Sequence, residues 1–280
     1  MPFSWPALFA RPAEADFAGW FDVIAHRLLN GCRVVANGVP VRLIEVEAYY
    51  HGPGHEDPFA HCDPVQLTAG RWYFHRTGGA YRGGSFKGLD LTFGDGRAFG
   101  GMLIRGVQSP DGSVIDGPSL TVDHLLKLTG HPSVKSLDAA MGEQPAWQPG
   151  PLQLVASPEL EQRPVLKCLR VGLTLKRRTF KDHDPAFAFL FRNYRYLSDP
   201  KRTAKGKTHI VLPLIADGRM PDEITTLTGC PTATVKRYDA DFATGRTLPS
   251  AEPFYGREMS TADLCQLYGA WWARHGDGMA

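Results

Sequence analysis

Residues 32–50 read CRVVANGVPVRLIEVEAYY. Two runs rich in β-branched and aromatic residues, CRVVA and VPVRLIEVEAYY, flank Asn37-Gly38, a dipeptide that tolerates the positive φ angles of a two-residue turn. The spacing predicts an antiparallel hairpin. A strand period of two then puts Leu43, Glu45, Glu47 and Tyr49 on one face and Ile44, Val46 and Ala48 on the other. A carboxylate held on a rigid strand beside a cation can make a water nucleophilic, and Arg105, near the end of another predicted strand, offers that cation. The same pattern also describes a solvent-facing strand with two exposed glutamates.

Upstream, Ala13, Phe17, Trp20, Phe21, Ile24 and Leu28 recur at helical spacing and Asn30-Gly31 supplies a stop, which predicts an amphipathic helix over 13–29. Downstream, short strands are predicted at 71–75, 89–93, 101–107, 152–155, 165–175 and 187–196. A helix capped by Ser119 runs to Leu128 and closes at Gly130, and residues 133–150 read as a loop. The 280-residue chain is long enough for a full core. Its 43% hydrophobic and 21% charged residues exclude general disorder, while 30 Gly and 22 Pro argue against a helical bundle. No stretch of eighteen apolar residues and no leader-like start are found, so the expectation is a soluble, unexported protein with no membrane association. Five scattered cysteines without a C-x-x-C pair fit a reducing compartment, hence the cytoplasm, and the nucleoid if the source is bacterial.

The net charge of +2 conceals a segregation. Arg163 to Lys207 holds thirteen Lys and Arg against three Asp, leaving that stretch at about +10 and the remainder at about −8. Clustered cations neutralise phosphates and release their counterions, so this run reads either as a nucleic-acid footprint or as a solvated strand face and loop. In HGPGHEDPFAHCD, residues 51–63, His51, His55, His61, Cys62 and Asp63 match no standard zinc spacing, and no metal is expected. GGAYRGGSFKG, residues 78–88, packs five glycines that permit close approach to a phosphate backbone, without the spacing of a P-loop or a dinucleotide fingerprint.

IEVEAYY (44–50), Ala60-His61, GGAYRGGSFKG, GGMLIRGV (100–107), DGPS (116–119) and RVGL (170–173) occur in the order and approximate spacing of the alkyladenine (3-methyladenine) DNA glycosylase family, which the chain resembles over roughly residues 18–198. The resemblance implies an α+β fold, one compact domain around a curved antiparallel sheet with a protruding β-hairpin that enters the DNA minor groove. It also implies cofactor-free, metal-free, monofunctional hydrolysis of the N-glycosidic bond of a flipped nucleotide in double-stranded DNA, by a monomer with no obligatory protein partner. Position by position, Glu47 matches the family's general base, Arg105 the arginine that helps hold the nucleophilic water, and Val171 the residue whose carbonyl contacts that water. Tyr49 matches one aromatic wall of the base pocket and His61 its histidine, across a longer connecting loop.

The departures lie at the recognition end. Gly84 falls where the family stacks a second tyrosine, Lys87 where it intercalates one, and Gly94 where an asparagine tests purine identity. Hydrolysis of a glycosidic bond is therefore better supported than action on 3-methyladenine itself. A neutral leaving base needs a proton, for which His61, Asp63 and Asp90 are candidates. Two other readings stay open: a DNA-binding or regulatory protein that no longer cleaves, and an N-glycosidase of free nucleosides.

The organisation expected is a glycosylase-like domain over 1–200 and a helical extension over 201–280. Within the extension, residues 221–246 read as two helices around a turn at Gly229, with Ile224, Leu227, Val235 and Tyr238 inward and Thr232, Thr234, Lys236 and Arg237 outward. That pattern fits a DNA-binding helix-turn-helix, with Lys236 and Arg237 toward DNA, or a plain packing hairpin. The last helix is expected to bury Leu264, Leu267, Tyr268 and Trp271.

Overall fold

The computed structural model describes residues 4–11, 16–176 and 184–276. The fold is α+β, with a large antiparallel sheet and a helical C-terminal region. The chain divides into two units, Met1–Leu166 with Arg195–Asp199, and Lys167–Tyr194 with Pro200–Ala280. The division differs from a single boundary near residue 200: the chain leaves the first unit after Leu166 and returns to it for Arg195–Asp199, which holds one short strand.

The first unit grows from the hairpin. Strands β1 (Cys32–Ala36) and β2 (Val39–Gly52) pair antiparallel across Asn37 and Gly38, whose φ angles of 47° and 81° are those the turn demands. Helix α1 (Trp5–Phe9) precedes α2 (Phe17–Gly31), which starts one turn later than the periodicity alone suggests because Asp16 Oδ1 caps it, accepting from Gly19 N at 2.8 Å. Ala13 lies outside the described residues. Trp20 and Phe21 of α2 pack on Tyr50, with ring centroids 5.5 and 6.0 Å apart, covering the β2 face that carries Ile44, Val46 and Ala48.

Next come β3 (His55–Glu56), β4 (Trp72–Phe74), β5 (Arg76–Thr77), β6 (Ala80–Tyr81), β7 (Leu89–Thr92), β8 (Phe99–Gln108) and β9 (Val114–Asp116). Helices α3 (Pro118–Thr129) and α4 (Val134–Met141) lead to β10 (Leu152–Ala156), β11 (Leu166–Cys168) and β12 (Arg195–Leu197). The sheet runs β10-β1-β2-β8-β7-β4, with β12 and β3 also on β2 and β9 on β8. β5 and β6 form a separate small hairpin, turned by Gly78 and Gly79 at positive φ.

Several local expectations are corrected. Residues 133–150 are not all loop: Ser133 Oγ accepts from Ser136 N at 3.1 Å and caps α4, whose Val134, Leu137 and Met141 are buried. Ser119 does not cap α3. Gly117 holds that position, and the Ser119 hydroxyl instead donates to Gly84 O at 2.7 Å. The strand expected at 165–175 shrinks to β11. That at 187–196 becomes a 3-10 turn, Pro185–Phe189, followed by β12. Alternating Phe187, Phe189 and Phe191 resemble a strand, but Trp271 Nε1 donates to Phe187 O at 2.9 Å, so this carbonyl is satisfied without a ladder.

The second unit contains α5 (Lys207–Ala216), α6 (Pro221–Thr228), α7 (Thr232–Arg246) and α8 (Thr261–His275). Gly229 closes α6 in the left-handed conformation, φ 71°, and Ile224, Val235 and Tyr238 are buried. Leu227 faces outward, 40% exposed, against expectation. Lys236 and Arg237 are exposed, with the guanidinium over the Tyr238 ring at 5.7 Å. In α8, Leu267, Tyr268 and Trp271 are buried and Leu264 is only half-buried, because Cys265 takes the inward position beside it. α7 and α8 meet backbone to backbone: a Cβ on Gly245 would stand 2.0 Å from Gln266 O, and one on Gly269 2.1 Å from Phe242 O.

Candidate active site

β2 is central and paired on both edges, so its side chains are held by a rigid frame. Glu45 and Glu47 are 1% and 0% exposed, which rules out the solvent-facing strand. Their charges are matched within the same sheet face. Arg105 on β8 donates from Nε to Glu45 Oε1 at 2.6 Å and from Nη1 to Glu47 Oε2 at 3.4 Å, with its Nε 3.3 Å from Glu47 Oε1. Arg195 on β12 donates from Nε to Glu45 Oε1 at 2.8 Å. The Tyr49 hydroxyl donates to Glu47 Oε2 at 2.8 Å. Burial opposes the charge on Arg105, but Glu47 and then Glu45 outweigh it and raise the guanidinium pKa.

The two carboxylates thereby take different parts. Glu45 serves as the shared acceptor of two guanidinium groups, and Glu47 meets Arg105 and the Tyr49 hydroxyl. Among the described residues, two buried carboxylates face two buried guanidiniums, and this matching of charge makes their burial tolerable.

The register extends this face across the sheet. Glu47 lies opposite Leu103 on β8, Leu103 opposite Asp90 on β7, and Asp90 opposite Tyr73 on β4. Two interstrand spacings put the Glu47 and Asp90 backbones about 10 Å apart. Asp90, 2% exposed, accepts from Gln66 Nε2 at 3.0 Å through Oδ2, and its Oδ1 lies 2.7 Å from His75 Nε2. Gly101 makes room for this, since a Cβ there would stand 2.5 Å from both Asp90 Oδ2 and Gln66 Nε2. His61 Nδ1 lies 3.3 Å from the Tyr73 hydroxyl and its ring meets that of His75 edge to face, centroids 4.1 Å apart. Burial, then the neighbouring His75, pushes the His61 pKa down to about 4. Asp63 is occupied as the cap of the 3-10 turn Pro64–Leu67, accepting from Val65 N at 3.0 Å.

Glu47, Tyr49 and Arg105 are thus in mutual contact, and His61 belongs to the histidine cluster on Asp90. Val171 is half-buried in the second unit, ahead of Gly172 at φ 87°. Gly84 sits in an exposed turn at φ 55°, and a Cβ there would have no heavy atom within 4 Å, so that position forms no wall against Tyr49. Lys87 is ion-paired to Asp123 of α3. Gly94 is wedged, its Cβ position 2.1 Å from Gln66 O, which leaves no space for an asparagine.

The basic run is not one cationic face. Arg195 is fully buried on Glu45. Arg170, 1% exposed, donates to Phe189 O at 3.0 Å, and Lys207 Nζ donates to Pro200 O and Thr228 O at 2.8 Å each. Arg177, Arg178 and Lys181 lie outside the described residues. Sequence reasoning did not single out His75 or Arg195 for the site. The available signal for His75 was its parity with Tyr73 in the strand expected at 71–75.

The chain is similar to Uncharacterized protein L759 of Acanthamoeba polyphaga mimivirus, 41% identical over 123 residues, which cover 39% of this chain. The match spans 57% of the length of that protein. No family model matches this chain, and no solved structure matches it.

Proposed function

We propose that the protein is a monofunctional DNA glycosylase, hydrolysing the N-glycosidic bond of a damaged or modified flipped base with a water activated by Glu47. The observation that carries this reading is Glu47 itself, fully buried on the central strand, with Tyr49 on one oxygen and the Arg105 guanidinium across both. A carboxylate fixed this way needs no reorganisation as charge develops. Glu47 takes a proton from water while Arg105 orients it. The water oxygen bonds to the sugar anomeric carbon and the carbon–nitrogen bond breaks, its electron pair leaving with the base. The same carboxylate stabilises the oxocarbenium-like sugar. The motif resemblance supplies the substrate class, and the Lys236–Arg237 pair on α7 supports a DNA partner.

The test is a single-turnover assay on duplexes carrying different base lesions, with abasic sites read by alkaline strand cleavage, beside an assay on the corresponding free nucleosides. Abasic sites formed by the wild type and lost in Glu47→Gln support the reading. Cleavage of nucleosides alone moves the activity to free nucleosides, and tight duplex binding without cleavage makes the protein a binding module.

A further inference from the structure

The second unit carries a motif that the Glu47 chemistry leaves unused. Within it α5, α6 and α7 pack on one another, and α6, 8 residues long, leads through the turn 229–231 into α7, 15 residues long. We propose that these three helices form a helix-turn-helix that holds undamaged double-stranded DNA, with the N-terminal half of α7 in the major groove. The inference goes beyond the glycosylase reading, because neither Glu47 nor a flipped base takes part in it.

Three features of the arrangement carry it. The first is the way the helices are locked. Ile224 and Thr228 of α6, Cys230 of the turn, and Val235 and Tyr238 of α7 are buried, and Gly229 reverses the chain between the two helices at φ 71°. The Thr208 hydroxyl donates to the Tyr238 hydroxyl at 3.2 Å and fixes α5 against α7. In such a motif the helix after the turn is the one that enters the major groove.

The second is the outward face of α7. Ala233, Lys236, Arg237 and Ala240 are three or four residues apart, share one face and are all exposed. α8 meets α7 further along, at Phe242 and Gly245, where a Cβ on Gly269 would stand 2.1 Å from Phe242 O. The N-terminal half of the outward face is thereby left to solvent. A major groove about 12 Å wide admits an α-helix. Alanines on either side of the two cations let the helix axis come close to the groove while the long side chains reach phosphates at its edges.

The third is charge around the turn. Lys207 Nζ donates to Pro200 O and Thr228 O at 2.8 Å each and to Lys201 O at 3.4 Å, which ties the chain at 200–201 to the end of α6. The Cβ position of Gly229 lies 3.8 Å from Lys201 O, so exposed Lys201 joins the two cations of α7 beside the turn. The acids of α6 are occupied by the protein's own groups. Glu223 Oε2 accepts from Met220 N at 3.0 Å, and Asp222 Oδ1 accepts from the Thr232 hydroxyl at 3.3 Å. Asp239 lines a groove with Arg219 at the connection between α5 and α6. Exposed cations beside capped acids complement a polyanion, and presentation of two of them on one helix face suits a duplex.

Two undamaged duplexes of one sequence test this with the full chain. One is plain. In the other the cytosines carry glucosylated hydroxymethyl groups, which fill the major groove and leave the minor groove and the phosphates unchanged. Affinity is read by fluorescence anisotropy at low salt. The wild type is expected to bind the plain duplex and to lose at least ~10-fold on the glucosylated one. The double variant Lys236→Ala with Arg237→Ala is expected to bind the plain duplex at least ~10-fold more weakly, because two phosphate contacts are given up, and to show no further loss on the glucosylated duplex. Both side chains are exposed, so circular dichroism and Tm are expected to match the parent. Lys201→Ala, a second variant, is expected to weaken binding less and to keep the glucosylation penalty.

No binding of the plain duplex by the wild type, equal affinity of the double variant and the parent, or the same glucosylation penalty in both overturns the inference. None of these measurements reads cleavage. Loss of the glycosylase reading in the lesion assay therefore leaves the helix-turn-helix standing, and its failure here leaves the Glu47 chemistry untouched.

Discussion

The Tyr49 hydroxyl donates to Glu47 Oε2 at 2.8 Å, two residues along the same strand and on the same face. The bond holds the carboxylate and the aromatic ring as one unit, so the ring that would contact a flipped base also orients the group that would activate the water. Tyr49→Phe keeps the ring and removes the bond. It is expected to lower single-turnover cleavage by at most about 10-fold, because such a bond contributes about 1.5–3 kcal/mol in total and only the part realised in the transition state enters the rate. Tyr49→Ala, which removes the ring as well, is expected to lose more.

Glu47→Gln preserves shape and a hydrogen-bond acceptor for Arg105. The expected result is a loss of at least ~100-fold in single-turnover glycosidic cleavage by the folded protein, beside a lowered Tm, since this change too leaves two buried guanidiniums with one carboxylate. Cleavage at the parental rate would reduce Glu47 to a partner of Arg105.

Glu45→Gln is expected to lower stability without a comparable loss in the chemical step. Glu45 accepts from both Arg105 and Arg195, and neutralising it leaves two buried guanidiniums with one carboxylate. Breaking a buried pair this way costs about 3–5 kcal/mol. For a unit of this size that lowers Tm by about 6–20 °C, measurable by thermal unfolding. A variant as stable as the parent would show that the row does not depend on Glu45.

Phe86 is 74% exposed beside Lys87, which is tied to Asp123. An apolar ring that solvent surrounds is better suited to stack between bases than a tethered ammonium. Phe86→Ala is expected to weaken binding to a lesion-bearing duplex by about 5- to 150-fold, the loss of one base stack of about 1–3 kcal/mol. Lys87→Ala should matter less. Equal affinities for Phe86→Ala and the parent would remove Phe86 from the contact surface.

Lys236 and Arg237 are exposed on α7. If both neutralise phosphates, the double alanine variant reduces the slope of log affinity against log salt by about 1.8, at about 0.9 for each phosphate. An unchanged slope assigns α6 and α7 to packing alone.

Local periodicity, which a chain carries whatever it later packs against, sufficed for the hairpin at Asn37-Gly38, for the shared face of Glu45, Glu47 and Tyr49, and for the two helices around Gly229. Position on a face is not environment. Whether Glu45 and Glu47 meet water or guanidinium depends on Arg105, 60 and 58 residues away, and on Arg195, 150 residues away from Glu45. The same applies to His75, whose partner Asp90 comes from a neighbouring strand, and to Phe187, whose alternating pattern loses to a bond from Trp271. Arg195 makes the division plain: by sequence it is one more cation in a basic run, and only strand pairing with Glu47 carries it into the core, where desolvation makes it an internal counter-charge instead of a phosphate ligand.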